Sequence, residues 1–145
     1  MIMPRVANVE ILRARRGSEL HKRFGLYVEH VGVLSSYPED YEARLRPMFS
    51  GAFEHLNFLV LEAHDLALTK IERNAPRDIK DVRFLASGGL IDPDTLVNRY
   101  FSEMRPSLAA GNTLKQIEHN MRLWLEDFWP TPRLDAWPSD GNHES

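Results

Sequence analysis

Apolar and polar positions along this chain follow two different periods. Val6, Val9 and Leu12 recur at helical spacing beside Arg13, Arg15 and Arg16, and Gly17 ends the run. That pattern predicts a short amphipathic helix. Residues 24–33, FGLYVEHVGV, switch to alternation, with Phe24, Leu26 and Val28 set against Gly25, Tyr27 and Glu29. A run rich in Val, Phe and Tyr at period two predicts a strand, and its apolar residues on both sides predict that both faces are covered. YPEDYEARLRPMF then predicts a short helix to about Arg46, with Pro38 in its first turn and Glu39 and Asp40 at the positive end of its dipole. HLNFLVLE, residues 55–62, predicts a second strand built on Leu56, Phe58, Leu59, Val60 and Leu61.

From residue 65 the pattern is helical. Residues 65–74 predict one helix. Ala75 precedes a proline and is biased away from helical angles, so a turn is expected there. Pro76 opens the next helix, striped by Ile79, Val82 and Leu85 and ended by Gly88 and Gly89. Asp92 caps a further helix with the stripe Leu96, Val97, Tyr100, Phe101 and Met104, closed by Pro106. Asn112 is expected to cap the last helix, whose stripe is Leu114, Ile117, Met121, Trp124, Leu125 and Phe128.

The fold class is therefore α+β: short strands near the N-terminus, at about 24–33 and 55–62, packed with helices, and a helical C-terminal half. One domain is expected over residues 1–129. The aperiodic, proline-bearing residues 130–145 are expected to be a disordered tail. Two strands make a poor sheet by themselves. Further strands are expected from loops, from a partner chain or homo-oligomer, or from a segment upstream.

Composition narrows the function classes. The chain has 145 residues and a formal net charge of −3, with a pI near 6.1. A general nucleic-acid binder would be basic, so only a local basic patch remains, with Arg13, Arg15, Arg16 and Lys22 the candidates. The absence of cysteine excludes disulfides and thiolate metal sites. No apolar run reaches the roughly 20 residues of a membrane span, and the first residues lack a signal-peptide core. A cytoplasmic protein is the expectation.

None of the six histidines forms a close pair at zinc-ligand spacing. The sequence has no G-x-S-x-G elbow and no phosphate-binding glycine motif. SGGLIDPD, residues 87–94, has the ingredients of a two-carboxylate metal site, but Pro93 separates Asp92 from Asp94 at a helix start, and helix capping accounts for the segment.

DLALTKIERNAPRDIKDVRFLA, residues 65–86, carries nine charged residues. Lys70, Arg73 and Asn74 share one helix face, and Asp78 and Asp81 share another. A helix pair joined at Ala75–Pro76 could bring Lys70 and Arg73 to Asp78 and Asp81. Two readings stay open: a salt-bridged surface hairpin, or a phosphate-facing basic group oriented by the carboxylates behind it.

EAHDLALTKIERNAPRDIKDVRFLA resembles the signature of a bacterial nucleotidyltransferase-like family of uncharacterised function. That family is distantly similar to the AbiEii-type toxin nucleotidyltransferases. GSELHKRFGLYVEHVGV, YPEDYEARLRPMF, HLNFLVLE, LIDPDTLVNRYFSEMRP and MRLWLEDF follow in the family's order, so the resemblance spans roughly residues 17–128.

The resemblance implies a partial polymerase-β-like nucleotidyltransferase fold using Mg²⁺ and a nucleoside triphosphate, with RNA or protein as acceptor. It matches Lys70 to the family's helix lysine, Arg77 and Asp78 to its basic–Asp pair, Asp81 to the acid after it, and Asp65 to the residue opening the helix. Lys70, Arg73 and Arg77 become phosphate-binding candidates, Asp65, Asp78 and Asp81 supporting acids, and Glu29 the one candidate catalytic, metal-binding acid. The family's Gly-Ser turn and paired acids belong before residue 24, and residues 1–23 contain neither. The expectation is a domain without its catalytic front, inactive alone, resembling the family's C-terminal part. The alternative is an interaction or regulatory module, such as part of a toxin–antitoxin pair.

Overall fold

A serine and a glycine bracket the first described helix of the computed structural model, α1 (Glu19–Phe24). Ser18 Oγ accepts the His21 N–H at 3.3 Å, and Gly25 closes the helix at φ 68°, a left-handed angle that favours glycine. The structure describes residues 16–25, 36–52, 54, 55, 57–129 and 137. The chain divides into two units, Met1–Val33 and Leu34–Ser145, and α1 belongs to the first. Phe24 and Gly25 close α1, while the rest of the strand expected over residues 24–33 lies outside the described residues. So does the helix expected at Val6–Leu12.

In the second unit the helix expected to run to Arg46 is a single 3₁₀ turn, Tyr41–Arg44. Pro47 explains the early stop, because the residue before a proline is pushed out of helical angles, and Leu45 is already extended at ψ 137°. Strand β1 (Arg46–Met48) follows and pairs antiparallel with β2 (Phe58–Val60), matching Arg46 to Val60, Pro47 to Leu59 and Met48 to Phe58. β2 lies inside the strand expected at 55–62 and is shorter, because Glu62 already caps the next helix.

Helices α2 (Ala63–Lys70), α3 (Pro76–Ser87), α4 (Pro93–Arg99) and α5 (Asn112–Phe128) carry the core. α2 packs on α3 and α4, and α3 packs on α5. Leu68 and Ile71 meet Val82, Leu96, Val97, Tyr100, Met104, Ile117, Met121, Trp124 and Leu125, all of them buried. Between α4 and the 3₁₀ turn Arg105–Ser107 lies one π-helical segment, Tyr100–Met104, closed by the Arg105 N–H on the Tyr100 carbonyl. Within it Tyr100 and Met104 are buried while Glu103 meets Arg44. Asn112 is the first residue of α5 rather than its cap, a position taken by Gly111.

α5 also secures the turn between α2 and α3. Asn120 Nδ2 donates to the Ile71 carbonyl at 2.9 Å, and Trp124 Nε1 donates to Asn74 Oδ1 at 2.8 Å. Of the C-terminal residues 130–145 only Trp137 is described. It sets its ring edge-on to Phe101 at 5.1 Å, under the Arg122 guanidinium at 4.6 Å. The observed class is α+β and mostly helical.

Candidate functional site

The charged segment singled out in the sequence is a helical hairpin. Asn74 takes the left-handed angle φ 45°, Ala75 is extended before the proline, and Pro76 starts α3. Asp78 sits in the first turn of α3 and is buried. Its Oδ2 accepts the Ala75 N–H at 3.0 Å, so the carboxylate caps its own helix. Arg73 grips it with two bonds, Nε to Oδ2 at 2.7 Å and Nη2 to Oδ1 at 2.5 Å, and Lys70 Nζ stands 3.6 Å from Oδ1. The Arg73 hydrogen bonds outweigh burial and hold the Asp78 carboxyl down at about 2. Lys70 also donates to Asp81 Oδ2 at 3.0 Å. Two carboxylates of α3 thus orient two cations at the end of α2. Arg73 remains 71% exposed in its side chain, with Nη1 outside the bidentate grip.

A second network lies on the other side of α2. Asp65 is buried and accepts from Arg44 Nε at 2.8 Å and Nη2 at 3.0 Å. Arg99 Nη1 adds a third bond at 3.1 Å. Arg44 turns its remaining edge to Glu103, at 3.0 and 2.6 Å, and Arg99 pairs with Glu62. Glu62 accepts from His64 Nδ1 at 2.6 Å, and His64 Nε2 accepts the Asp92 N–H at 2.9 Å. An imidazole that accepts at Nε2 carries a proton on Nδ1, so the two contacts orient the His64 ring with Nδ1–H toward Glu62. Burial pushes the Glu62 carboxyl up, but the bonds from His64 and Arg99 outweigh it and leave it at about 2. The network ties Arg44, α2, α4 and the π segment together.

Beside Lys70 an open groove of about 430 Å³ runs between α2 and α3, lined by Leu66, Lys70, Lys80, Asp81, Phe84 and Leu85. Phe84 is 75% exposed there.

Residues 20–126 match the model of a family described as "Nucleotidyltransferase of unknown function (DUF6036)". The chain belongs to this family. No curated protein and no solved structure matches it. The mostly helical α+β architecture is consistent with part of a nucleotidyltransferase-like fold.

For a member of this family the residues expected at the site divide four ways. Lys70, Arg73, Asp78 and Asp81 come together at the end of the hairpin. Asp65 does not join them: it lies five residues before Lys70, a full turn and about 140° more around α2, and it faces Arg44 and Arg99. Arg77 stands exposed on α3 and makes no side-chain hydrogen bond or ion pair with a described residue. Glu29 lies outside the described residues. The sequence reading did not single out Lys80 and Phe84, which follow Arg77 and Asp81 on one face of α3 by their helical spacing. Arg44, Glu62, Arg99 and Glu103 were also not singled out; Arg99 and Glu103 stand four residues apart, but no local spacing relates that pair to Arg44 or Glu62.

The donor set bears on Mg²⁺. Among the described residues no three His, Asp or Glu side chains group to hold a metal ion. The buried carboxylates are already taken: Asp65 by two arginines, and Asp78 by Arg73, Lys70 and a backbone N–H. A carboxylate has about four acceptor sites, and using them on cations leaves these acids unsuited to a divalent ion. Asp65 and Asp78 therefore do not fit Mg²⁺.

Proposed function

We propose that this chain is the helical, nucleotide-facing part of a nucleotidyltransferase-like protein, resembling the C-terminal part of its family and distantly the AbiEii-type toxins. In this reading residues 1–129 form one nucleotidyltransferase-like domain without its catalytic front, in a cytoplasmic setting. Lys70, Arg73 and Arg77 face the phosphates of a nucleoside triphosphate. Asp78 and Asp81 hold the first two in position, and Asp65 holds α2 against Arg44 and Arg99. The acids that bind Mg²⁺ are supplied by residues other than the described ones, Glu29 among them, or by another polypeptide. The acceptor is RNA or protein. The observation that carries the reading is the pair of oriented cations at the hairpin end, each held by a carboxylate of α3 and still reaching solvent.

Calorimetric titration of the chain with ATP and GTP, each with Mg²⁺, tests it. Binding is expected, and Arg77→Glu, a change at an exposed residue, is expected to weaken it by about tenfold, or 1.4 kcal/mol. No heat with either nucleotide would sink the phosphate-facing role. Transfer of label from an α-labelled triphosphate to RNA or protein by the purified chain would sink the catalytic incompleteness.

A second reading, a non-enzymatic interaction module such as one half of a toxin–antitoxin pair, draws on the sheet of two described strands. Met48, Phe49 and Leu59 are exposed on or beside it, and two strands want a further strand or a covering layer. A concentration-independent monomer by sedimentation, with no apolar dye bound, would count against this reading.

A further inference from the structure

We propose that the groove between α2 and α3 is a docking site for an acidic amphipathic helix of another polypeptide. Three features of the groove carry this.

The first is its apolar lining. Leu66 on α2 faces Phe84 and Leu85 on α3, and Phe84 leaves three-quarters of its surface in water. An aromatic ring so exposed in a concave site is the kind of anchor point that dominates binding energy when a partner covers it.

The second is charge. Among its described lining residues the groove has two lysines and one carboxylate, one net positive charge, carried by Lys80. Asp81 is neutralised by Lys70 at 3.0 Å. Lys80, and Arg77 one turn before Asp81, make no side-chain hydrogen bond or ion pair with a described residue. On a chain whose formal net charge is −3, this groove is a local cationic surface, and it is complementary to carboxylates.

The third is shape. Leu66 and Lys70 are one turn apart on one wall, and Lys80 and Phe84 one turn apart on the other. Two ridges of this kind accept a third helix that places apolar residues at i, i+3 or i+4, and i+7 between them. The cationic end of α3 then meets acidic residues on the same incoming helix. A nucleic-acid strand is less well matched, because successive bases stack on several aromatic side chains and Phe84 is the one aromatic among the described lining residues.

The test is fluorescence anisotropy with two labelled helical peptides of about 14 residues, or two heptads. Both have leucine at the a and d positions. One carries glutamate between them and the other lysine. The acidic peptide is expected to bind and the basic one not to. Phe84→Ser is expected to weaken the acidic peptide by about tenfold or more. Lys80→Glu should reverse the preference, so that the basic peptide binds the variant better. Both changes are at exposed positions, and an unchanged circular dichroism melt would establish that each variant folds. Equal binding of the two peptides, or no effect of Phe84→Ser, would overturn the proposal. So would a dimer by sedimentation that Phe84→Ser dissolves, since the occupant would then be a second copy of this chain.

Discussion

Asp65 and Asp78 are both buried carboxylates, and they are stabilised by different means. Asp65 sits between two arginines brought from other elements. Asp78 is held by an arginine five residues before it and by a backbone N–H three residues before it. Asp65→Ala leaves Arg44 and Arg99 facing each other without the charge between them. Breaking a buried pair in this way costs about 3–5 kcal/mol, and urea unfolding at neutral pH should register that loss.

Acid has a separate effect. Glu62 and Asp78 both titrate near 2 in the fold, below their ordinary values of 4.5 and 3.8. Depressed folded-state values mean that the unfolded chain takes up protons first. The stability they contribute is fully present above about 4.5 and is lost as pH falls from there toward 2. A series of urea midpoints over that range should fall steeply, and Asp78→Asn should flatten its lower part. An equally steep fall in the variant would show that Asp78 is not responsible.

At the scale of the element, the turn between α2 and α3 decides whether the charged segment becomes a site at all. Residues 74–76 combine a left-handed asparagine, an extended alanine and a proline that starts the next helix. Asn74 does two jobs, taking φ 45° and accepting the Trp124 N–H. Asn74→Ala loses both, and a buried indole N–H without an acceptor costs about 1–3 kcal/mol. Asn74→Gly keeps the angle and loses only the bond, so it should cost less. Chemical unfolding followed by Trp124 fluorescence would rank the three proteins, and a glycine variant weaker than the alanine one would refute the assignment of strain. The N-cap Asp92 offers a simpler case: it accepts the Thr95 N–H at 2.8 Å, and Asp92→Ala should cost about 0.5–2 kcal/mol of thermal stability.

The sequence anticipated the elements unevenly, and for reasons local to each. Pro76, Gly88–Gly89 and Asp92–Pro93 announce their helix ends because capping is a contest among neighbouring residues. The segment after Pro38 misled because three residues of helical signal precede Pro47, whose effect on Arg46 and Leu45 wins. The π segment Tyr100–Met104 carried no signal of its own, since its apolar stripe reads as one continuous helix.

At the scale of the whole molecule, the described core lies entirely in the unit Leu34–Ser145. A chain beginning at Leu34 is therefore expected to unfold cooperatively, with Trp124 fluorescence and far-ultraviolet circular dichroism sharing one midpoint. Separate midpoints, or strong dye binding at low temperature, would show that the first unit is needed for the core to pack.

The sequence by itself determined the α+β class, the four core helices, their buried stripes and the meeting of Lys70 and Arg73 with Asp78 and Asp81. Each depends on residues within about a dozen positions, where helical period and turn chemistry act directly. Tertiary structure alone decided that Arg44, Asp65, Arg99 and Glu103 form one network, because those partners lie 21 to 59 positions apart. It also decided that Lys80 and Phe84 would border a groove. Spacing places both on a helix face, but only the packing of α2 against α3 determines which face stays open to a partner.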